Sequence, residues 1–313
     1  MILIFGRADD PPISLVLEAL QECGMDYRFI EVRALDQDGL RLEMGTTGLT
    51  GCLHCAGEKL PLETIHSVYA RPLSPGRQWS SPQAAQRANS AFETFNAWLD
   101  IATALVVNRP RAMNSNNSKP MQAQWIGAAG FAVPETLITS SPEEARTFWR
   151  RHGRVIYKSI SGVRSIVREL DEVAAQHLDR LRDLPVQFQA YVEGTDVRVH
   201  VVGVQCFAAE IHSTATDYRY VRGAEKTQLL THELPEDVAR RCVDLASVMK
   251  LPLAGIDLRR GPDGKYTCFE VNPMPAYSYY ESHTGLPISL ALANVLAAGN
   301  SSGDQSSCKP SRT

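Results

Sequence analysis

The sequence predicts an α/β protein, with α+β character in its second half, built from more than one packed unit. Three observations lead there. The chain opens on an apolar strand, a helix and a second strand within Met1–Val32. Beyond Arg154 it is dominated by short strands, with a long helical pattern only at Glu236–Met249 and a last one after Pro287. Its 313 residues, 44% of them hydrophobic, can bury a real core and suit two or three subdomains better than one.

Met1-Ile2-Leu3-Ile4-Phe5 reads as a buried strand, stopped by the loop Gly6–Pro12. Ile13–Cys23 carries apolar residues at helical spacing and ends at Gly24. Asp26–Val32 alternates as a strand. Leu40–Leu60 looks like a hairpin, and Ser67-Val68-Tyr69-Ala70 forms another strand. Ser80–Leu105 is a long helical pattern capped by Ser81-Pro82, and Val106-Val107 begins a short strand broken at Asn108-Arg109-Pro110. The polar stretch Asn114–Ser118 is expected to be a loop at a domain boundary, followed by a helix with Ser118 as N-cap and Pro120 in its first turn. Strands follow at Arg154–Ser159, Val186–Val192, Arg198–Val202 and Gln205–Ile211. Gly255–Arg259 and Tyr266–Val271 are joined by the turn Gly261-Pro262-Asp263-Gly264. The last helix fades near Ala298, and the Ser-rich tail Gly299–Thr313 has too little to bury and is expected to be disordered.

Composition excludes several functions. A formal charge of −3 and a pI near 6.3 give no single-sign field for nucleic acid or anionic membrane. Met1–Phe5 is too short and lacks the basic leader of a signal peptide, and no apolar run approaches the ~20 residues of a membrane span. The expected location is cytoplasmic. Seven cysteines at irregular spacing make no disulfide framework. Cys52-Leu53-His54-Cys55 lacks a second Cys/His pair for zinc, so it reads as a reduced surface turn.

The strongest chemical signal is Asp257 followed by Glu270-Val271-Asn272-Pro273. Glu270 and Asn272 stand two apart on one strand and share a face, and the tight turn returns that strand beside the one carrying Asp257. Two carboxylates and an amide among Ile256, Phe269 and Val271 suit a hard cation such as Mg²⁺, with phosphate oxygens as further ligands. A solvent-facing hairpin would explain the alternation but not the acids in apolar surroundings.

Lys158 ends the apolar strand Val155-Ile156-Tyr157-Lys158 ahead of the small-residue loop Ser159–Ser165, an arrangement that can hold phosphate. A solvated lysine beside an ordinary turn explains it equally well. Lys119 stands where a helix begins, near N–H groups that attract anions, and by itself also reads as a surface lysine. Gln187-Phe188-Gln189-Ala190-Tyr191-Val192-Glu193-Gly194-Thr195-Asp196-Val197-Arg198 is an apolar strand running into two acids. Its backbone could meet a nucleobase and its carboxylates ribose hydroxyls. Arg198 points into a sheet, where a bare charge costs several kcal/mol; a phosphate, a carboxylate ligand or a salt bridge to a nearby acid would each satisfy it. His200, His212 and His283 could act as a base but are assigned no role.

In this order and spacing, Lys119, "VIYKSISG", "QAYVEGTDVRVHVVG", "GIDL" and "FEVNP" resemble the ATP-grasp superfamily over roughly Ile2–Ala298. Within it the chain most resembles ligases that add glutamate to a ribosomal protein and the graspetide (microviridin-type) peptide-cyclising ligases. The second likeness rests on Ser67-Val68-Tyr69-Ala70-Arg71-Pro72, Asp217-Tyr218-Arg219 and Thr284-Gly285-Leu286-Pro287-Ile288. The resemblance implies an ATP-grasp fold with a small N-terminal α/β domain (residues 1–117), a central subdomain (118–190), a C-terminal subdomain with the metal site (191–298) and the tail (299–313), the two subdomains clasping ATP. It implies that Lys119 and Lys158 hold the α- and β-phosphates, that Gln189, Ala190, Tyr191 and Val192 form the adenine hinge, and that Glu193 and Asp196 meet the ribose. Asp257, Glu270 and Asn272 would bind two Mg²⁺ ions, and Arg198 and Arg219 would steady the γ-phosphate and an acyl phosphate. Two departures stand out: Met274-Pro275-Ala276-Tyr277 follows Asn272-Pro273 where graspetide ligases carry Asn-Gly-Gln-Trp, and Ala190 fills a hinge position often held by glutamate.

The sequence therefore reads as an ATP-dependent ligase that phosphorylates a carboxylate of a peptide or amino acid and passes the acyl group to an amine, or to a hydroxyl. Partners are those substrates, with no nucleic acid and no membrane; a homo-oligomer is left open. A small-molecule amino-acid or dipeptide ligase, suggested by Tyr277-Ser278-Tyr279-Tyr280, and a nucleotide-binding regulator without catalysis are the alternatives.

Overall fold

The computed structural model describes residues 1–34, 39–46, 48–55, 57–73, 79–160, 167–213 and 227–299. The chain begins with β1 (Ile2–Gly6), α1 (Pro11–Glu22) and β2 (Tyr27–Glu31). A meander, β3 (Gly39–Gly45), β4 (Gly48–Cys55) and β5 (Glu58–Pro61), precedes β6 (Ser67–Ala70), α2 (Pro82–Ile101) and β7 (Leu105–Val107). β1, β2, β6 and β7 form a parallel sheet of order β2-β1-β6-β7. Helices cover both faces, which is why its strands are continuously apolar. Leu3, Phe5, Val68 and Val106 pack on Phe95, Trp98 and Leu99 of α2, while Ile2, Ile4, Tyr69 and Val107 face Ile13, Val16 and Leu20 of α1.

The next stretch holds α3 (Pro110–Met113), α4 (Lys119–Ala128), β8 (Thr136–Thr139), α5 (Pro142–His152), β9 (Val155–Ser159), β10 (Arg168–Glu169), α6 (Glu172–Ala175) and β11 (Val186–Ala190). Its antiparallel sheet has the order β10-β9-β11-β8. Val155, Tyr157 and Phe188 bury one face against Ala145 and Phe148 of α5. By strand alternation Lys158, Gln187 and Gln189 lie on the other.

Last come β12 (Thr195–Val202), β13 (Gln205–His212), β14 (Gln228–His232), α7 (Glu236–Val248), β15 (Leu253–Arg260), β16 (Tyr266–Asn272), α8 (Ser278–Thr284) and α9 (Ile288–Ala298). These strands make an antiparallel sheet of order β14-β13-β12-β15-β16. Val197, Val199, Val201, Ile256, Leu258 and Val271 bury one face against α4 and α7. Asp196, Arg198, His200, Gly255, Asp257, Glu270 and Asn272 occupy the other. Ile288, Leu292 and Leu296 of α9 return to the core of the N-terminal sheet, so the two ends of the described chain pack together.

Several elements differ from the sequence expectation. The first helix begins at Pro11, not Ile13, because proline in the first turn forfeits no hydrogen bond. Leu40–Leu60 is three strands rather than a hairpin, and Cys52-Leu53-His54-Cys55 lies on β4 instead of a turn, with Cys52 buried and its Sγ 3.4 Å from His54 Nε2. Asn114–Asn117 is one 3₁₀ turn instead of a loop. The strand expected to reach Val192 stops at Ala190, where Tyr191 N turns to donate to Arg154 O at 3.0 Å. β8, α5, β14 and α8 are additions to the sequence reading. Residues 300–313 of the expected disordered tail lie outside the described residues.

Candidate active site

Asp257 on β15 and Glu270 on β16 are direct register partners, and Asn272 pairs with Gly255 two residues along. Both pairs lie on the Asn272 side of the register shift that places Cys268, not Phe269, opposite Leu258, so the two acids and the amide share one face by direct pairing. Asp257 is also the register partner of Arg198 on β12, whose Nη1 donates to Asp257 Oδ1 at 2.5 Å. Lys119 Nζ donates to Glu270 Oε2 at 2.8 Å. Each acid therefore sits beside a cation, and all four side chains are less than a third exposed.

The neighbours hold this arrangement. A Cβ at Gly255 would stand 2.1 Å from Arg198 Nη2 and 2.9 Å from Pro275 Cβ, so the guanidinium lies over the glycine backbone. A glycine in a strand interior marks such a close approach. The Tyr280 ring of α8 lies 5.7 Å from the Arg198 guanidinium carbon and 4.9 Å from the His200 ring. His200 is fully buried; burial, and then the positive charge of Arg198, lower its pKa well below the ordinary value. Its ring is thus neutral. Gln122 sits one turn after Lys119 on α4 and clamps the outer edge of β16: its Nε2 donates to Val271 O at 2.8 Å, and Val271 N donates to its Oε1 at 3.2 Å. That pair satisfies backbone groups an edge strand would leave open, and it fixes Lys119 beside Glu270.

The β10-β9-β11-β8 sheet meets the β14-β13-β12-β15-β16 sheet near Tyr191. Arg154 covers one ring at 3.5 Å from the centroid, and the Arg259 guanidinium carbon stands 5.5 Å from the same centroid. Arg259 is ion-paired with Asp196 at 2.7 Å and donates to Val192 O at 2.8 Å, and Arg154 is ion-paired with Glu193 at 2.9 Å. Lys158 faces its register partner Gln187 and shares a sheet face with Gln189. Gln189 Nε2 donates to Thr136 Oγ1 at 3.3 Å, whereas the buried Gln187 Oε1 accepts no hydrogen bond from the described residues.

Comparison with known proteins gives these groups a family context. The RimK-like ATP-grasp domain matches residues 116–296, more than half of the chain. The chain belongs to the RimK-like ATP-grasp family. A probable α-L-glutamate ligase of a Marinomonas species is 26% identical over 190 residues, which span 57% of this chain and 62% of that protein. Among solved structures, the ATP-grasp ligase PsnB complexed with a phosphomimetic variant of its minimal precursor, Mg and ADP is 27% identical, with a TM-score of 0.77 over 95% of this chain and 97% of that one. A Chryseobacterium gregarium RiPP-associated ATP-grasp ligase, in complex with ADP and a leader and core peptide, superposes with a TM-score of 0.80 at 24% identity, covering 95% and 96%.

Within this ATP-grasp fold the structure brings Lys119, Arg198, Asp257, Glu270 and Asn272 onto one cluster of elements, and Lys158 and Gln189 onto a second sheet. Glu193 and Asp196 are brought to arginines, Arg154 and Arg259, which the sequence reading did not single out. Arg219 and the loop residues 161–165 lie outside the described residues. The donor set fits Mg²⁺: three hard oxygen donors stand on one face, and Asn272 Oδ1 accepts from Met274 N at 2.9 Å with one of its two lone pairs. Among the described residues no group of three His, Cys, Asp or Glu side chains could hold a metal, so the amide of Asn272 and ligands from outside the chain would complete the shell. Gly255, Gln187, Arg71 and Asn108 stood in the sequence only inside longer motifs with no role of their own, Tyr280 stood in the tyrosine-rich segment, and Gln122 carried no signal. A glycine inside the charged strand segment around Asp257 was the available signal for the first of these.

Proposed function

We propose that this protein is an ATP-dependent carboxylate–amine ligase that works through an acyl phosphate and modifies a peptide. The observation that carries the reading is the cross-strand pair Asp257–Glu270 with Asn272 beside it, each acid held by a cation from a different element. When bound, Mg²⁺ would offset charge on the nucleotide phosphates. Lys158 would hold phosphate from the facing sheet, Gln189 to Val192 would receive the adenine, and Asp196, steadied by Arg259, would meet the ribose. Arg198 would stand where charge builds on the transferred phosphoryl group, and its fixed seat over Gly255 means little reorganisation during the step. The substrate carboxylate attacks the γ-phosphate, ADP leaves, and an amine or hydroxyl displaces phosphate from the acyl group. The division at residues 117/118 and 190/191 belongs to the same reading.

The likeness to PsnB in complex with its precursor and to the leader- and core-bound RiPP-associated ligase supports a peptide as substrate. The tyrosine-rich segment lends less to a small-molecule pocket than its sequence suggested, because Tyr277 and Tyr280 are buried and only Tyr279 is exposed. The test is incubation with ATP, Mg²⁺ and short peptides encoded beside its gene, followed by ADP measurement and mass spectrometry. Loss of one water from a peptide for each ADP released is the expected result. ADP release with free amino acids but not peptides would favour the small-molecule ligase, and ATP binding without ADP from either would favour the regulator.

A further inference from the structure

The loop after Asn272 is held from the far side of the molecule. Asn108, immediately after β7, donates from Nδ2 to Leu253 O at 2.7 Å and to Pro273 O at 2.5 Å, and its Oδ1 accepts from Leu253 N at 3.2 Å. Arg71, immediately after β6, donates from Nη1 to Pro275 O at 2.9 Å and is ion-paired with Asp10, which follows β1, at 2.5 Å. Asn108, Arg71 and Asp10 are all at least nine-tenths buried. Residues just past two strand ends of the parallel sheet thus hold two carbonyls of a four-residue stretch, Asn272 to Pro275, and Asp10, at the start of α1, orients Arg71. Tyr277 adds a further tie by donating to Pro12 O at 2.6 Å.

What this stretch carries decides the consequence. Asn272 is a candidate metal ligand at one end. At the other, Pro275 Cβ lies 2.9 Å from where a Cβ of Gly255 would be, the same spot occupied by the Arg198 guanidinium. Moving Pro273 or Pro275 would therefore move an oxygen donor and one wall of the Arg198 seat together. A buried ion pair is costly to desolvate and gives little net stability, so a purely packing role would be served as well by apolar side chains. Directional bonds to two carbonyls, by contrast, fix position.

We propose that Arg71, oriented by Asp10, and Asn108 are positioning residues that set the Asn272–Pro275 loop and, through it, the Mg²⁺-binding geometry and the Arg198 seat. The proposal rests on the ligase reading of Asp257, Glu270 and Asn272. The parallel sheet is then more than a scaffold: its strand ends form one wall of the phosphate-transfer site.

The test is calorimetric titration of ADP, with and without Mg²⁺, into Arg71→Met, Asn108→Leu and the milder Arg71→Lys and Asn108→Ser. Val68→Ala, which weakens the same sheet from its other face, is the control for stability alone. Folding is checked by circular dichroism and melting. The expected result is ADP affinity in EDTA within about twofold of wild type, with the Mg²⁺ concentration for half-maximal tightening raised about tenfold or more, as for lost support of a metal ligand. Val68→Ala should melt earlier with an unchanged Mg²⁺ requirement. A folded Arg71 or Asn108 variant with the wild-type Mg²⁺ requirement overturns the proposal, as does an equal shift in Val68→Ala. Should the apolar variants not fold, the Lys and Ser variants decide by the same criterion. Wild-type protein whose ADP binding is indifferent to Mg²⁺ would overturn the metal reading itself.

Discussion

Lys119 Nζ stands 2.8 Å from Glu270 Oε2, joining the first residue of one helix to an edge strand 151 residues later. The pair neutralises one acid of a site whose other acid, Asp257, is neutralised by Arg198. Neither cation is a distant counter-charge, so phosphate oxygens arriving here would meet fixed positive groups and metal-binding oxygens on the same surface.

Glu270→Gln keeps the shape and removes the charge that Lys119 meets and that Mg²⁺ would share. The fold should persist while ADP formation falls about 100-fold or more, the scale of losing one fixed electrostatic partner of the transition state. A folded Glu270→Gln protein that releases ADP at a near-normal rate would remove Glu270 from the site.

Lys158→Ala tests the facing sheet. Loss of one charged phosphate contact should weaken ATP about tenfold with melting almost unchanged. Gln187→Leu, the register partner, should also weaken ATP, since it removes a buried amide whose oxygen has no hydrogen-bond partner among the described residues. Isothermal titration with a non-hydrolysable ATP analogue measures both, and unchanged affinities would leave this face out of the nucleotide site.

Gly255→Ala should leave the sheet paired but displace Arg198, because the added methyl would fall 2.1 Å from Nη2. The expected effect is a fall in kcat of about 100-fold, the cost of roughly 1 Å of misplacement in a catalytic group, with a much smaller change in ATP affinity. A variant that turns over normally when saturated would mean that Arg198 has no part in the chemical step.

His200 links the site to pH. Burial, with a smaller contribution from Arg198, lowers its pKa well below 6.5, so the unfolded chain takes up a proton that the folded chain refuses. The stability of the neutral ring is present above the unfolded value and is lost as pH falls below about 6.5. Melting temperature should drop between about pH 7.5 and about pH 5.5, and His200→Phe should lessen that drop while keeping the ring against Tyr280. Some slope should remain, since burial also lowers the pKa of His232. Equal slopes in wild type and variant would assign the acid sensitivity elsewhere.

The sequence by itself determined the elements with one dominant signal. β1, β6, α2 and α9 follow from apolar period and caps, as with Ser81, which accepts from Ala84 N. Asp257, Glu270 and Asn272 were legible because strand alternation is local: two residues two apart share a face wherever the strand lies. Tertiary structure decided which cation each acid meets, since Lys119 and Arg198 are 151 and 59 residues from their partners and no local periodicity encodes such a pairing. It also decided that Arg71, read only within a family-like motif, and Asn108, read only as a strand break, bond to the loop after Asn272 from more than 160 residues away. Local dihedral and capping preferences act over a few residues and can be read in order. The bonds of Arg71 and Asn108 to Pro275 and Pro273, like the packing of α9 on the first sheet, join parts of the chain more than 160 residues apart, and no local preference encodes them.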